Sequence, residues 1–289
     1  MGIDKSRVSA RVVACSLSNT DLRVKKLALA LTALAAFSGS AVAADLPART
    51  YTKAPVIADS GYNWTGFYVG GDVGGAWTSN TGTFSPLPSP IDFGIFGISA
   101  SNGGSGIIGG FHAGYNWQFT PTWIAGIEGD WSRSKARGSF SQVMSFDPPP
   151  GILANSFVNM SSTLDWLASI RGRLGYLVMP NLLAYGTGGA AWGKFDYAAN
   201  DSNGFSGGAS YTTSAAVSST QSGYVVGGGL EWAITNNWLL RGEYLYYRLN
   251  SAPNVVAQSA NLTFQSSPSG YSWSSTNVSV ARAGLSYKF

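Results

Sequence analysis

From residue 62 to Phe289, polar and apolar side chains alternate with a period of two, and no helical period holds beyond two turns. A chain patterned this way folds as strands that present one face to apolar surroundings and the other to something polar. Strands are expected at about 64–78, 108–120, 122–134, 162–178, 181–196, 221–234, 238–250 and 276–289. Three of their links are tight: Thr120-Pro121-Thr122, Met179-Pro180-Asn181 and Thr235-Asn236-Asn237. The other four, at about 79–107, 135–161, 197–220 and 251–275, are long and rich in Ser, Gly, Asn and Pro.

Short turns alternating with long loops around an even number of strands describe an antiparallel barrel that crosses a bilayer. Closure pairs every backbone N–H and C=O in lipid, where an open sheet edge is not tolerated. The expected fold is therefore all-β: an eight-stranded antiparallel transmembrane up-and-down β-barrel over residues 62–289.

Parity inside the strands separates a lipid face from a lumen face. The fourth strand opposes Leu164, Trp166, Ala168, Ile170, Leu174 and Tyr176 to Asp165, Ser169, Arg171 and Arg173. The second sends Phe111, Tyr115, Trp117 and Phe119 outward and His112, Asn116 and Gln118 inward; the third opposes Trp123, Ile127 and Trp131 to Glu128 and Asp130. In the sixth, Val226, Leu230, Trp232 and Ile234 oppose Glu231, and in the seventh Trp238, Leu240, Tyr244 and Tyr246 oppose Arg241 and Glu243. The fifth, with Gly186, Gly188, Gly189 and Ala190, has no assignable face. Trp117, Trp123, Trp232 and Trp238 lie near the short turns and form the expected periplasmic aromatic girdle.

Ahead of the strands, Lys25 and Lys26 precede an apolar run from Leu27 to Phe37 and then Ala41-Val42-Ala43, the pattern of a secretory signal peptide cut between Ala43 and Ala44. The run falls short of the ~20 residues that span a bilayer as a helix. Residues 1–43 are thus read as an N-terminal extension with a signal peptide, 44–61 as a periplasmic tail and 62–289 as the barrel. The stretch before Val24 has no evident export role, and a translation start at Val24 accounts for it. Met1-Gly2 with Ser6 fits a myristoylation pattern, but that modification does not accompany bacterial export. Cys15, the sole cysteine, precedes the cut, so the mature chain has no disulfide, thiol nucleophile or thiolate ligand. Six of the 18 Lys and Arg, and two of the 14 Asp and Glu, lie before residue 44, which leaves 12 of each. A formally neutral mature chain gives no broad basic surface, and nucleic acid is excluded as a partner.

The chain ends Leu285-Ser286-Tyr287-Lys288-Phe289, with Leu285, Tyr287 and Phe289 on one face. This resembles the signal by which outer-membrane barrels are recognised by their insertion machinery. Ala44-Asp45-Leu46-Pro47-Ala48-Arg49 and Trp64-Thr65-Gly66-Phe67-Tyr68-Val69-Gly70-Gly71 resemble the small porin-like, opacity-type immunogenic outer-membrane proteins of rhizobial and related alphaproteobacteria. The resemblance covers residues 44–289, is strongest at the two ends, and implies an OmpA-like barrel in the Gram-negative outer membrane; the longer architecture with a peptidoglycan-binding domain after Phe289 is not expected. Its implied partners are outer-membrane lipids and the export and insertion machinery.

If each short turn centres its hairpin, Glu231 faces Arg241 and His112 faces Asp130; Arg282 neighbours Glu243, and Arg171 and Arg173 lie one strand from Glu128. Eight strands enclose a space that side chains fill, and buried charges persist only when paired. These nine residues are read as a structural plug, with gating of a narrow pore by Glu231 and Arg241 as the alternative. His112, the only histidine, would need a serine beside it to act as a catalytic base, and its parity points away from lipid substrates. One histidine and scattered carboxylates have no metal-ligand spacing. The glycine clusters lack the Lys-Ser/Thr of a phosphate loop, and read as relief of crowding. Neither cofactor nor metal is expected.

Tyr271 and Trp273 in the last loop, and Phe140, Met144 and Phe146 in the second, are the apolar loop residues that either take an extracellular ligand or continue the barrel above the membrane. The overall expectation is a non-enzymatic barrel with a surface and envelope role. The alternatives are a narrow porin-like channel for small solutes, and an adhesin or haem binder acting through the loops.

Overall fold

The computed structural model describes residues 62–86, 97–146, 154–205, 210–257 and 269–289. The cleavage site at Ala43 and Ala44 and the tail at 44–61 lie outside them. The strands are β1 (Gly66–Pro86), β2 (Ile98–Gln118), β3 (Trp123–Ser134), β4 (Arg137–Phe146), β5 (Ala154–Met179), β6 (Leu182–Phe205), β7 (Ser210–Ala233), β8 (Trp238–Leu249), β9 (Val255–Ala257), β10 (Ser269–Trp273) and β11 (Thr276–Lys288). Every pairing between them is antiparallel.

Eight strands close the ring in the order β1, β2, β3, β5, β6, β7, β8, β11, with β11 returning to β1 through Tyr68 opposite Lys288. At that seam Gly66 has φ +146°, a backbone conformation that favours glycine, and a Cβ there would stand 3.1 Å from the Phe289 carbonyl oxygen. β4, β9 and β10 lie above the ring: β4 lengthens the β2, β5 wall, and β10 pairs with the upper end of β1.

The tight turns form where the sequence places them. Thr120 Oγ1 accepts the Trp123 N–H at 2.8 Å and Thr235 Oγ1 accepts the Trp238 N–H at 3.1 Å, so a threonine hydroxyl closes two of the three. The long loops require correction. Much of 79–107, 135–161 and 197–220 is strand, because β1, β2, β4, β5, β6 and β7 run on past the belt of outward apolar residues. Their outward positions carry Ser, Asn and Thr, which flattens the hydrophobic alternation without breaking the backbone ladder.

A second correction concerns the fourth predicted strand, now β5. Its pairing with β6 slips between Leu164 and Trp166, the mark of a β-bulge, and the bulge inverts parity above it. Leu164 is fully buried in the lumen, whereas Asp165 faces outward, the reverse of the sequence expectation. Arg171 and Arg173, below the bulge, face inward, and Ile170, Leu174 and Tyr176 face out. Contacts also settle β6, which the glycines had obscured: Leu183, Tyr185, Ala191, Phe195 and Tyr197 point into the barrel.

Candidate functional site

One strand displays the organisation of the whole lumen. Along β8 the inward residues are Leu239, then Arg241 and Glu243, then Leu245, Tyr247 and Leu249: apolar, charged, apolar. The same order recurs on β7, with Ala233, Glu231 and Val225, whereas β3 carries Ser132 and Ser134 above Asp130 and β11 ends below on Lys288.

The lowest tier lies at the short-turn end. Trp64, Ile124, Leu183, Tyr185, Ala233 and Leu239 cluster there, with Tyr62 and Leu177 packed against them. Trp64 precedes β1 and reaches beneath the ring, where its indole N–H donates to the Pro180 carbonyl at 3.2 Å and its ring meets Tyr62 edge-on.

The middle tier holds the nine residues expected there, and also Tyr68, Asp72 and Ser286, which sequence reasoning did not single out; the Tyr185 hydroxyl reaches up to it from the lowest tier and donates to Glu243. Register agrees with turn-centred pairing: Glu231 is opposite Arg241, His112 opposite Asp130, Arg282 opposite Glu243 and Arg171 opposite Glu128. The side chains, however, choose other partners in two cases. Arg241 donates through Nε and Nη2 to Asp72, both at 3.0 Å, and through Nη1 to Glu128 at 2.6 Å, while Glu231 accepts from Arg173. Glu231 and Arg241 therefore form no gate pair. His112 engages Asp72 through Nδ1 at 2.7 Å instead of Asp130, which accepts from Ser169 and Arg282. Long side chains that converge on the axis of a narrow barrel reach across it as readily as along it.

Elsewhere Arg171 bridges Glu128 and Glu243, Arg282 donates to Glu243 at 2.9 Å, and the Arg173 guanidinium lies 4.0 Å from the Tyr185 ring centroid. The Tyr68 hydroxyl donates to Glu128 at 2.7 Å and accepts from Arg173 at 2.9 Å. Five carboxylates thus meet four guanidiniums and one imidazole in a continuous mesh, each buried charge compensated by more than distant field. Glycine makes the room. A Cβ on Gly70 would come within 2.5 Å of His112 Nε2, and one on Gly284 within 2.2 Å of Asp72 Oδ1.

His112 Nε2 stands 2.7 Å from Ser286 Oγ. With the imidazole proton on Nδ1, facing the Asp72 carboxylate, Nε2 accepts from the serine hydroxyl, and Ser286, His112 and Asp72 reproduce the contacts of a nucleophilic triad. The hydroxyl is fully buried between apolar tiers, and Asp72 is also clamped by Arg241. Asp72 and Ser286, which the sequence reading passed over, were legible from parity. β1 alternates Phe67, Val69, Val73 and Trp77 outward against Tyr68, Asp72 and Ala76 inward, and Ser286 lies between the outward Leu285 and Tyr287.

The upper tier rises above the lipid belt and is a mainly apolar core that also encloses Asn80, Asn102, Ser162, Gln221 and Thr276. Ile108, Val158, Met160, Leu164, Phe195, Tyr197, Val225, Leu245, Tyr247, Trp273 and Val280 are buried in it. Tyr271 and Trp273 are core residues, and Phe140 packs against the same cluster; the side chains of Met144 and Phe146 lie outside the description. On the exterior, Trp117, Trp123, Trp232 and Trp238 are exposed around the short-turn end, and Leu285, Tyr287 and Phe289 are exposed on one face of the chain end.

The outer membrane protein beta-barrel domain family matches residues 29–289. The 31 kDa outer-membrane immunogenic proteins of Brucella melitensis and Brucella suis are each 33% identical over 258 residues, covering 88% of this chain and 96% of theirs. The 22 kDa outer membrane protein of Rhizobium leguminosarum is 32% identical over 184 residues, 64% of each chain. Among solved structures, Ail of Yersinia pestis aligns at 16% identity and a TM-score of 0.34, over 78% of this chain and 99% of that one. The chain belongs to the outer membrane protein beta-barrel domain family and resides in the Gram-negative outer membrane.

Proposed function

We propose that the mature protein is a non-enzymatic envelope barrel whose lumen is a plug, anchored by its apolar belt with the short turns in the periplasm and the long-loop end outside. The observation that carries this reading is the succession of buried side chains along the lumen, a mainly apolar tier, the ionic tier and a mainly apolar upper core. An ionic mesh alone would leave polar surfaces that water could separate. Apolar tiers on both sides of it remove the hydrated path that ion conduction needs.

The same enclosure argues against hydrolysis by Ser286, since a triad acts only on a carbonyl that reaches its hydroxyl. Tyr271 and Trp273 are committed to the core, which withdraws the last-loop aromatics from the ligand-binding alternative. Leu285, Tyr287 and Phe289, exposed on one face, are the residues we assign to recognition by the insertion machinery.

Single-channel recording of residues 44–289, refolded into a planar bilayer, tests the plug. A folded, silent barrel is expected. Stable, reproducible openings would replace this reading with the narrow channel.

A further inference from the structure

Among the described residues, the barrel's ten Lys and Arg divide sharply. Arg171, Arg173, Arg241 and Arg282 are in the lumen, and Lys288 is buried at the short-turn end. The other five, Arg133, Lys135, Arg137, Lys194 and Arg248, are all on the outer wall, in the half that leads to the long loops. Four of them gather on one face. Arg133, Lys135 and Arg137 occupy successive outward positions from β3 into β4, and Lys194 sits on β6, with only β5 between.

The β5 bulge organises this face. By turning Asp165 outward it sets one carboxylate 3.1 Å from Arg133 and 3.7 Å from Lys194, and so holds two cations from different strands side by side. Bulges re-aim side chains in this way. Asp165 offsets one positive charge and Asp196, exposed on β6 in the same register row as Arg137, a second, while Lys135 and Arg137 make no ion pair among the described residues. Trp131 and Trp192 lie in the row below, on either side of Ala168, and Trp166 is register-paired with both Arg133 and Lys194. Beneath them the wall is aliphatic, with Ile127 and Ile170 exposed. Tryptophans of this kind mark the lipid-water boundary. The cations therefore stand at headgroup depth, directly above an acyl-chain surface.

We propose that this face is a binding site for the phosphorylated acyl-disaccharide of the outer leaflet, lipid A. Arg133, Lys135, Arg137 and Lys194 take its phosphates, and Trp131, Trp192 and Ile170 take its acyl chains. Guanidinium and ammonium groups suit phosphate, and a positive face among phosphate-bearing glycolipids replaces the divalent cations that otherwise bridge them. Only one leaflet of the membrane carries such a lipid, and all the outward cations lie on that side.

The test refolds residues 44–289 in detergent, adds purified lipid A, and counts retained lipid by native mass spectrometry. Folding of every variant is verified by heat-modifiable gel mobility. Each cation near an anionic surface strengthens attachment by about fivefold. The variant R133Q/K135Q/R137Q/K194Q is therefore expected to lose retention by more than about tenfold, with R248Q, remote on β8, close to wild type. Dephosphorylated lipid A should be lost from the wild-type barrel. Retention by the quadruple variant equal to wild type, equal retention of phosphatidylglycerol, or an equal loss in R248Q would each overturn the proposal.

Discussion

Arg241 is the centre of the ionic tier, and its truncation tests whether that tier is a fastening or a gate. Arg241→Ala removes two hydrogen bonds to Asp72 and one to Glu128 from a side chain that is 1% exposed. Neither carboxylate is left bare. Asp72 keeps His112 at 2.7 Å and Arg282 at 3.6 Å, and Glu128 keeps Arg171, Arg173 and Tyr68. Breaking a buried ion pair costs about 3–5 kcal/mol, and these surviving partners place the expected cost near the lower end, about 3 kcal/mol. At a urea slope of roughly 2 kcal/mol per molar, the unfolding midpoint of the refolded barrel falls by about 1.5 M. The variant should nevertheless remain silent in a planar bilayer, because Leu239 below and Leu245 above still close the lumen. A midpoint unchanged from wild type would refute the energetic argument. Channel openings in Arg241→Ala would show that charge, not apolar packing, keeps water out.

Three further perturbations address the other tiers and the glycines. Gly284→Ala places a methyl 2.2 Å from Asp72 Oδ1 and should lower the same midpoint by about 1–3 kcal/mol equivalent, whereas Gly242→Ala, where a Cβ meets nothing within 4 Å, should not. Trp273→Ala empties a buried position in the upper core and is expected to cost about 3–5 kcal/mol, read as urea-induced loss of near-ultraviolet circular dichroism; a neutral substitution would remove Trp273 from the core. Asp201, in the strand extension above the belt, has its carboxyl raised from 3.8 by burial, against smaller opposing effects of hydrogen bonds from Asn203 and Ser156. The folded state therefore holds this proton more tightly than the unfolded chain, and stability is lost as pH rises from 3.8 through the raised value. Asp201→Asn should be more stable than wild type at pH 7 and should flatten that pH dependence; equal pH profiles would contradict it.

The barrel was legible because three kinds of signal agreed. Period-two parity on the hairpins, tight turns at Thr120, Pro180 and Thr235, and an aromatic chain end all specify the same closed sheet, and the registers follow from centring each turn. Where polar residues occupy the outward positions, as along Ser139 to Gln142 and Ala198 to Ser202, hydrophobicity no longer distinguishes a strand from a loop. The extensions above the membrane were hidden for that reason. The bulge at Leu164 was hidden by its own effect, since a one-residue slip leaves a locally perfect alternation on either side. Within the lumen, strand register limits which side chains share a tier but not which of them pair. Arg241 reached Asp72 across the seam because an arginine is longer than the strand spacing, a choice fixed only by three-dimensional packing.

The filled lumen is tested most directly by chemical access. Cys15 is the sole cysteine and lies outside residues 44–289, so single cysteines can be introduced into that segment without background. Ser169→Cys places a thiol in the ionic tier and Ser139→Cys places one on the exposed wall. Labelling with a charged methanethiosulfonate, applied to the folded barrel from either side, should modify position 139 at once and position 169 only after denaturation. Modification of position 169 in the folded barrel at a rate near that of position 139 would show that water and solutes enter the lumen, and would contradict the plug.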